Sequence, residues 1–339
     1  MRFLLFTEVL KLLKARSGAN MPLMIEDAMT ENSPTTEEWR ELYESAARVK
    51  ELAPWEWMTE ADIFGVQNLE TNEFGFVGVM GMLGEHYAVS LYLGSKGLYE
   101  FWEFEVAGHL ASPEELFEIP QLQASFENRY ELHNKDRGTI KELGLKFRGR
   151  HAWPMFRSYR PGFAPWFLET EEARFLTYAL GQLADVAPRF REDPSLLESL
   201  DDESYLVRVP RREDGTLVWE DRLMDVPPPE PSTIQIGMVP QVLEDLERLP
   251  PSRNRLEMDF FMFPAPVQEK KEVRPYFPYM LLTVDIQSGA ILGNEMLKPD
   301  TSPEAMWGLI PETVGHQLAG AELVPEEVTV SSGLLFQLL

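Results

Sequence analysis

The sequence predicts an α+β protein of mixed α/β character: an antiparallel meander with helices, followed by a smaller α/β domain. Three observations carry this. Short strand-like segments, "DIFGVQ", "EFGFVGVMG" and "YAVSLYLG", follow one another with glycine- and polar-rich spacers between them. Helical periodicity appears on either side of them, in "EEWRELYESAARVKEL" and "EARFLTYALGQLADV". Three consecutive prolines, Pro227, Pro228 and Pro229, then interrupt the chain, and proline can neither continue a helix nor sit in a central strand. The domain plan is therefore a tail or short helix at 1–34, an α+β domain at 35–224, a proline-rich linker at 225–233 and an α/β domain at 234–339.

The elements follow in order. "MRFLLFTEVLKLLKARSGAN" has an apolar stretch broken by Glu8 and Lys11, unlike a secretory signal, and reads as a short amphipathic helix. Met21 is an alternative natural start. Thr35 or Thr36 caps the first full helix, whose Trp39, Leu42, Tyr43, Ala46 and Val49 share one face. After Pro54 come the three strands, and then "GLYEFWEFEV" as a helix. "LGLKFRG" is predicted as a short strand, and the proline-bearing stretch after it as a rigid loop. "ETEEARFLTYALGQLADVAPRF" opens with an acidic first turn, as a helix N-terminus favours. "SYLVRVPRREDGTLVWEDRLM" is a hairpin turning at Asp214-Gly215. Beyond the linker the order is helix, strand, hairpin around Gln287-Ser288-Gly289, a helix capped by Ser302, a strand and a last helix. A ribonuclease H-like arrangement is one form this second domain can take.

Composition bounds the function. The 339 residues hold 44% apolar side chains, enough for sizeable cores, and no cysteine, which removes disulfides, thiolate metal sites and a cysteine nucleophile. Lys and Arg number 31 against 56 Asp and Glu, a formal net charge of −25. Such a surface repels nucleic acid and anionic lipid, so duplex nucleic acid is disfavoured as a partner. No apolar run reaches the roughly 18 residues that span a bilayer, and the expectation is a cytoplasmic protein without membrane attachment.

Against this background "KFRGRHAWPMFRSYRPGFAPW", residues 146–166, has five cations, six aromatics and no carboxylate. Arg148 and Arg150 would share a strand face, while Arg157 and Arg160 lie among Trp153, Tyr159 and three prolines. Guanidinium groups offer paired donors and aromatic faces stack, so Arg148, Arg150, Trp153, Arg157, Tyr159 and Arg160 form a candidate site for an anionic ligand or protein partner. The competing reading has these arginines paired with internal carboxylates, clamping the domain.

Candidates for catalysis are weaker. Glu85-His86, at the mouth of a hairpin, has the composition of an acid/base pair. Asp285 ends a strand before a turn, with Glu295, Asp300 and Glu304 near it in sequence, and would anchor a metal-dependent hydrolase or nuclease-like enzyme if they converged. The histidines, His86, His109, His133, His151 and His316, lack metal-ligand spacing, and the glycines Gly78, Gly81 and Gly84 lie between two strands rather than in a phosphate-binding turn. No cofactor and no metal are expected. The leading expectation is a binding or regulatory protein rather than an enzyme.

The pieces "PWEWMTEADIFGVQ", "GEHYAVSLYLGSKGL", "LGLKFRGRHAWPMFRSYRPGFAPW" and "ETEEARFLTYALGQ" together resemble a bacterial domain family of unknown function. "LLTVDIQSGAILGNEMLKPDTSPEAM" resembles a second family that often follows the first. The resemblance spans roughly 37–225 and 256–339. It implies the two-domain plan and no particular reaction, and it implies a second domain shorter at its end than its relatives.

Overall fold

The structure is a computed structural model that describes the main chain of residues 2–5 and residues 33–108, 113–198, 204–237, 239–300 and 302–339. The short N-terminal helix expected within 1–34, the alternative start at Met21 and His109 lie outside these residues. The described residues within 33–160 and 165–230 form one compact unit, and those within 2–5, 161–164 and 231–339 form the other. The fold is α+β in both.

The first strand, β1 (Arg2–Leu5), belongs to the second unit. The first unit opens with α1 (Thr36–Leu52), capped at Thr35 by a reciprocal pair of bonds with Glu38. The meander follows as β2 (Phe64–Gln67), β3 (Phe74–Met80) and β4 (Ala88–Leu93). Gly81 and Gly84 take positive φ in the β3–β4 turn, so these glycines make a hairpin as expected. Helix α2 (Gly94–Ala107) is the "GLYEFWEFEV" segment. Then come β5 (Gln121–Glu127), α3 (Asn134–Glu142), β6 (Trp153–Tyr159) and the long α4 (Thr170–Glu192). Strands β7 (Ser204–Glu213) and β8 (Thr216–Asp225) turn at Asp214-Gly215, both at positive φ.

The sheet order is β6-β5-β4-β3-β2-β7-β8, antiparallel throughout except for the parallel β2–β7 contact. Helices cover both faces. Val77, Val79, Val89 and Leu91 pack with Leu42, Tyr43, Leu176 and Leu180 of α1 and α4. On the opposite face Phe76 and Tyr92 pack with Leu98 and Phe101 of α2. Two-sided burial explains why β3, β4 and β5 are buried at nearly every position, including Gln121, Gln123 and Ser125.

Two sequence expectations about the cationic stretch are corrected here. "LGLKFRG" is not a strand; the strand is "WPMFRSY", β6. Pro154 does not exclude it, because β6 is an edge strand and a missing N–H there costs no inner ladder bond.

In the second unit α5 (Pro240–Arg248) precedes β9 (Arg255–Met262), β10 (Tyr279–Asp285) and β11 (Ile291–Leu297). Its sheet runs β1-β12-β9-β10-β11, where β12 is Glu327–Val330 and pairs in parallel with β9. The single helix expected after Ser302 is two, α6 (Pro303–Trp307) and α7 (Ile310–Gly320). Pro311 lacks the N–H that a continuous helix needs, so it sits in the first turn of α7. Leu256, Met258 and Leu281 of the sheet pack with Leu246, Ile310, Val314 and Leu318. The last helix, α8 (Gly333–Leu338), is capped by Ser332. No described helix is long and apolar enough to cross a membrane.

Gly75 marks how closely the layers fit. A Cβ there would meet Leu91 Cδ1 at 2.6 Å and Phe175 Cζ at 2.9 Å. Gly75→Ala is expected to lower unfolding free energy by about 1–3 kcal/mol through overpacking, read from the urea midpoint at unchanged slope.

Candidate functional site

The strand β6 sorts the cationic stretch by its alternation. Its burial alternates, with Pro154, Phe156 and Ser158 inside. Phe156 meets Tyr43 of α1 edge-on at 4.9 Å. On the other side Arg157 forms a fork with Asp136 of α3, Nη1 to Oδ1 at 2.9 Å and Nη2 to Oδ2 at 2.7 Å. The side chains are only 13% and 8% exposed, so this pair is internal. Asp136 is fixed a second time, accepting from the His133 N–H in the capping box of α3. The Arg157 guanidinium also lies over the Phe167 ring at 4.8 Å.

Arg160 is likewise engaged, donating to Glu169 and to Glu172 at the start of α4. Glu172 also accepts from the Ser158 hydroxyl at 2.7 Å. Tyr159 donates to Gln123 Oε1 at 3.2 Å, and burial pushes its phenol pKa up, so it is neutral near pH 7. Trp153 stands edge-on to Phe147 at 5.8 Å and under the Arg129 guanidinium at 5.8 Å. Four of the six candidate binding residues, Trp153, Arg157, Tyr159 and Arg160, thus have partners within the unit.

Arg148 and Arg150 differ. They lie in the non-regular segment before β6, both are exposed, and neither has an ion-pair partner among the described residues. The expected strand alternation is absent there, yet both reach solvent because the turn itself is outside the sheet. Near them in sequence lie Lys146, already part of the cationic stretch, and four cations that sequence reasoning passed over: Arg129, Lys135, Arg137 and Lys141. From 129 to 150 there are seven cations and three carboxylates, one of which is the internal Asp136. Among the described residues no ion pair holds any of the seven. All but the half-buried Arg137 are exposed.

Local contacts position some of these groups. Arg137 donates to the Arg129 carbonyl at 3.4 Å and to the Asn134 side chain. Arg129 covers Trp153, which touches Phe147, between Lys146 and Arg148. The His151 N–H donates to Asn128 Oδ1 at 3.3 Å, tying the end of the turn to the start of this region. Lys135 lies over Phe167 at 4.4 Å. The signal was present in sequence as "RYELHNKDRGTIKELGLKFRGR", where six of the thirteen exposed positions carry cations.

The catalytic candidates do not converge. Glu85 and His86 are exposed in the β3–β4 turn, and His86 Nδ1 lies 3.8 Å from Glu127 Oε1. Nearby Glu60 has its pKa raised, by burial first and by Glu105 second. Asp285 is 4% exposed and caps its own turn: it accepts from Ser288 N at 2.8 Å, Ser288 Oγ at 2.6 Å and Asn254 Nδ2 at 2.9 Å. Of its sequence neighbours, Asp300 pairs with Lys298, Glu304 accepts from Ser232, and Glu295 is exposed on β11. Among the described residues no group of three or more His, Asp or Glu is arranged to hold a metal ion.

Two measurements test these assignments. Arg157→Met should cost about 3–5 kcal/mol by leaving Asp136 buried and uncompensated, and Asp136→Asn added to it should restore part of the loss. The Asp285 carboxyl, held at about 2 by the Ser288 hydroxyl and the Asn254 amide, sits below its ordinary 3.8. A depressed carboxylate pKa adds stability that is fully present above the unfolded value and is lost as pH falls through the folded one. The stability difference between wild type and Asp285→Asn should therefore be constant above about pH 5 and shrink steadily as pH falls towards the folded value of about 2, followed by urea unfolding across that range.

Comparison with known proteins agrees with this layout. Residues 39–208 match the model of a domain of unknown function, DUF7309, and residues 242–339 match a second, DUF6930. The basic face, the Arg157–Asp136 pair and the Arg160 clamp all lie within the first match. No curated protein and no solved structure matches the chain. With half its length covered by the first domain model, the chain belongs to the DUF7309 family, with a DUF6930 domain following.

Proposed function

We propose that this is a binding or regulatory protein whose basic face, built on α3 and the turn leading into β6, docks an acidic protein segment. The observation that carries the reading is the set of seven cations at 129–150, none in an ion pair among the described residues, in a chain whose carboxylates outnumber its cations 56 to 31. Elsewhere arginines such as Arg174, Arg189, Arg208, Arg211, Arg222, Arg248 and Arg255 each hold a carboxylate. In a chain with so large a surplus of acids, the 129–150 cations take no carboxylate partner among the described residues.

The chemistry of the partner follows from the setting. The face follows a nine-residue helix, roughly 14 Å long at 1.5 Å per residue, with Phe147, Trp153 and Phe167 between the charges. That suits a short acidic segment with apolar residues. Duplex nucleic acid carries about one charge per 1.7 Å along its axis, and would bring far more negative charge against the rest of an acidic surface. Each charge-assisted hydrogen bond contributes about 1.5–3 kcal/mol at best, and exposed pairs contribute less. Several together give affinity in about the micromolar range.

The test is fluorescence anisotropy of a labelled polyglutamate peptide with the full chain, at low and physiological salt, against a duplex DNA of equal charge. The peptide should bind in a salt-sensitive way, and Arg148→Gln with Arg150→Gln should weaken it about tenfold while unfolding free energy stays within about 0.5 kcal/mol, as for exposed sites without partners. Peptide binding that is absent, or unaffected by the double substitution, rejects the reading. Tighter binding of the DNA rejects the acidic-segment assignment.

A further inference from the structure

The first unit also contains a cleft of about 690 Å³, within the range of small-molecule sites. It opens over the strand ends, where β2 leads into Asn68, β3 begins at Phe74, β4 passes into α2 at Leu93 and Gly94, and β8 ends at Asp225. The two cores of the unit meet here. Phe76 comes from the core under α2, and Leu122 and Phe175 from the core under α1 and α4. With Phe74, Val207 and Met224 they make an apolar floor.

The rim has one sign of charge. Glu73, Glu171, Glu172, Asp225 and Glu230 line the cleft, and among the described residues no Lys, Arg or His does. Their states differ. Glu172 is held by Arg160 and the Ser158 hydroxyl, Asp225 accepts from Ser204 Oγ at 2.7 Å, and Glu73 accepts from the Thr71 hydroxyl at 3.1 Å. Glu171 and Glu230 are exposed and have no hydrogen-bond or ion-pair partner among the described residues. The cleft therefore combines phenylalanine faces, which attract cations, with two uncommitted carboxylates at its mouth.

We infer that this cleft binds a small organic ammonium ion with an apolar body, the body on the floor of Phe74, Phe76 and Phe175 and the ammonium at Glu171 and Glu230. A neutral apolar molecule would satisfy the floor but not the rim. An anion would meet five carboxylates with no cation on the wall. The site is separate from the basic face and takes the opposite charge, so the two readings fail independently.

Three ligands that share one skeleton separate the contributions: 4-phenylbutylammonium, 4-phenylbutanol and 4-phenylbutanoate, each titrated by calorimetry into the full chain at low and physiological salt. The ammonium should bind about tenfold or more tightly than the alcohol, the carboxylate should bind weakest, and raising salt should narrow the gap, as screening requires. Glu171→Gln with Glu230→Gln should remove about tenfold of the ammonium affinity and leave the alcohol unchanged. Both residues are exposed and unpartnered, so the melting midpoint of the double variant should match wild type and confirms its folding. No heat from the ammonium at millimolar concentration, equal binding of the three ligands, or full ammonium affinity in the folded double variant each overturns the inference.

Discussion

The pairing of β6 with β5 governs what the cationic stretch can do. Its register sets Arg157 opposite Gln123 and Phe156 opposite Ala124. From there the period of two sends Phe156 into the core against Tyr43, and turns Arg157 towards α3, where Asp136 waits in the helix cap. A slip of one residue would exchange these faces, burying the guanidinium in the apolar core and expelling the phenylalanine. The bidentate pair therefore fixes register as well as charge, and it binds α3 to the edge strand. Once α3 is held, the turn after it is held at both ends, with Leu143, Leu145 and Phe147 packed against the main core and Lys146, Arg148 and Arg150 left outside.

This division resolves the two readings of the cluster by position rather than by choosing one. Arg157 and Arg160 act as internal clamps, with carboxylate partners that are mostly buried. Arg148 and Arg150 are exposed cations with no such role. A buried ion pair is weak evidence of net stability, since desolvation offsets much of the attraction, but removing one partner is costly. An unpaired exposed cation costs little to keep. The internal pairs thus account for their own presence through the fold, and the exposed group is the part that the fold does not require.

Much of the architecture was legible because hydrophobic period and turn chemistry agree. The Asp214-Gly215 hairpin, the Thr35 cap and the glycines between β3 and β4 each have a local cause that sequence displays. The failures have causes too. β5 was missed although Leu122, Ala124 and Phe126 alternate, because the intervening Gln121, Gln123 and Ser125 look like a solvent face and are in fact buried under α2 and its neighbours. "WPMFRSY" read as a loop because proline is excluded from central strands, and only the sheet order reveals that β6 is an edge. For the site, composition exposed the arginines but not their partners. Asp136 and Glu172 lie 21 and 12 residues from Arg157 and Arg160, and the four cations Arg129, Lys135, Arg137 and Lys141 were hidden by ordinary helical spacing.

Arg160 marks the boundary between two fields of opposite sign in one unit. On the β6 side lie the α3 cations; on the α4 side Glu172 faces the cleft over the strand ends. By holding Glu169 and Glu172 together, Arg160 prevents two adjacent carboxylates at one helix start from repelling each other. It also leaves Glu171, directly between them in sequence, to face solvent without a partner. The N-terminus of α4 stabilises the same carboxylates through its dipole, which favours negative charge in the first turn. The α4 side of the acidic rim is therefore held by a helix end and one guanidinium. The basic face needs neither, because α3 and the segments flanking it leave all but Arg137 of its cations in water. A strongly acidic chain keeps both surfaces by separating them with a clamp that belongs to the fold.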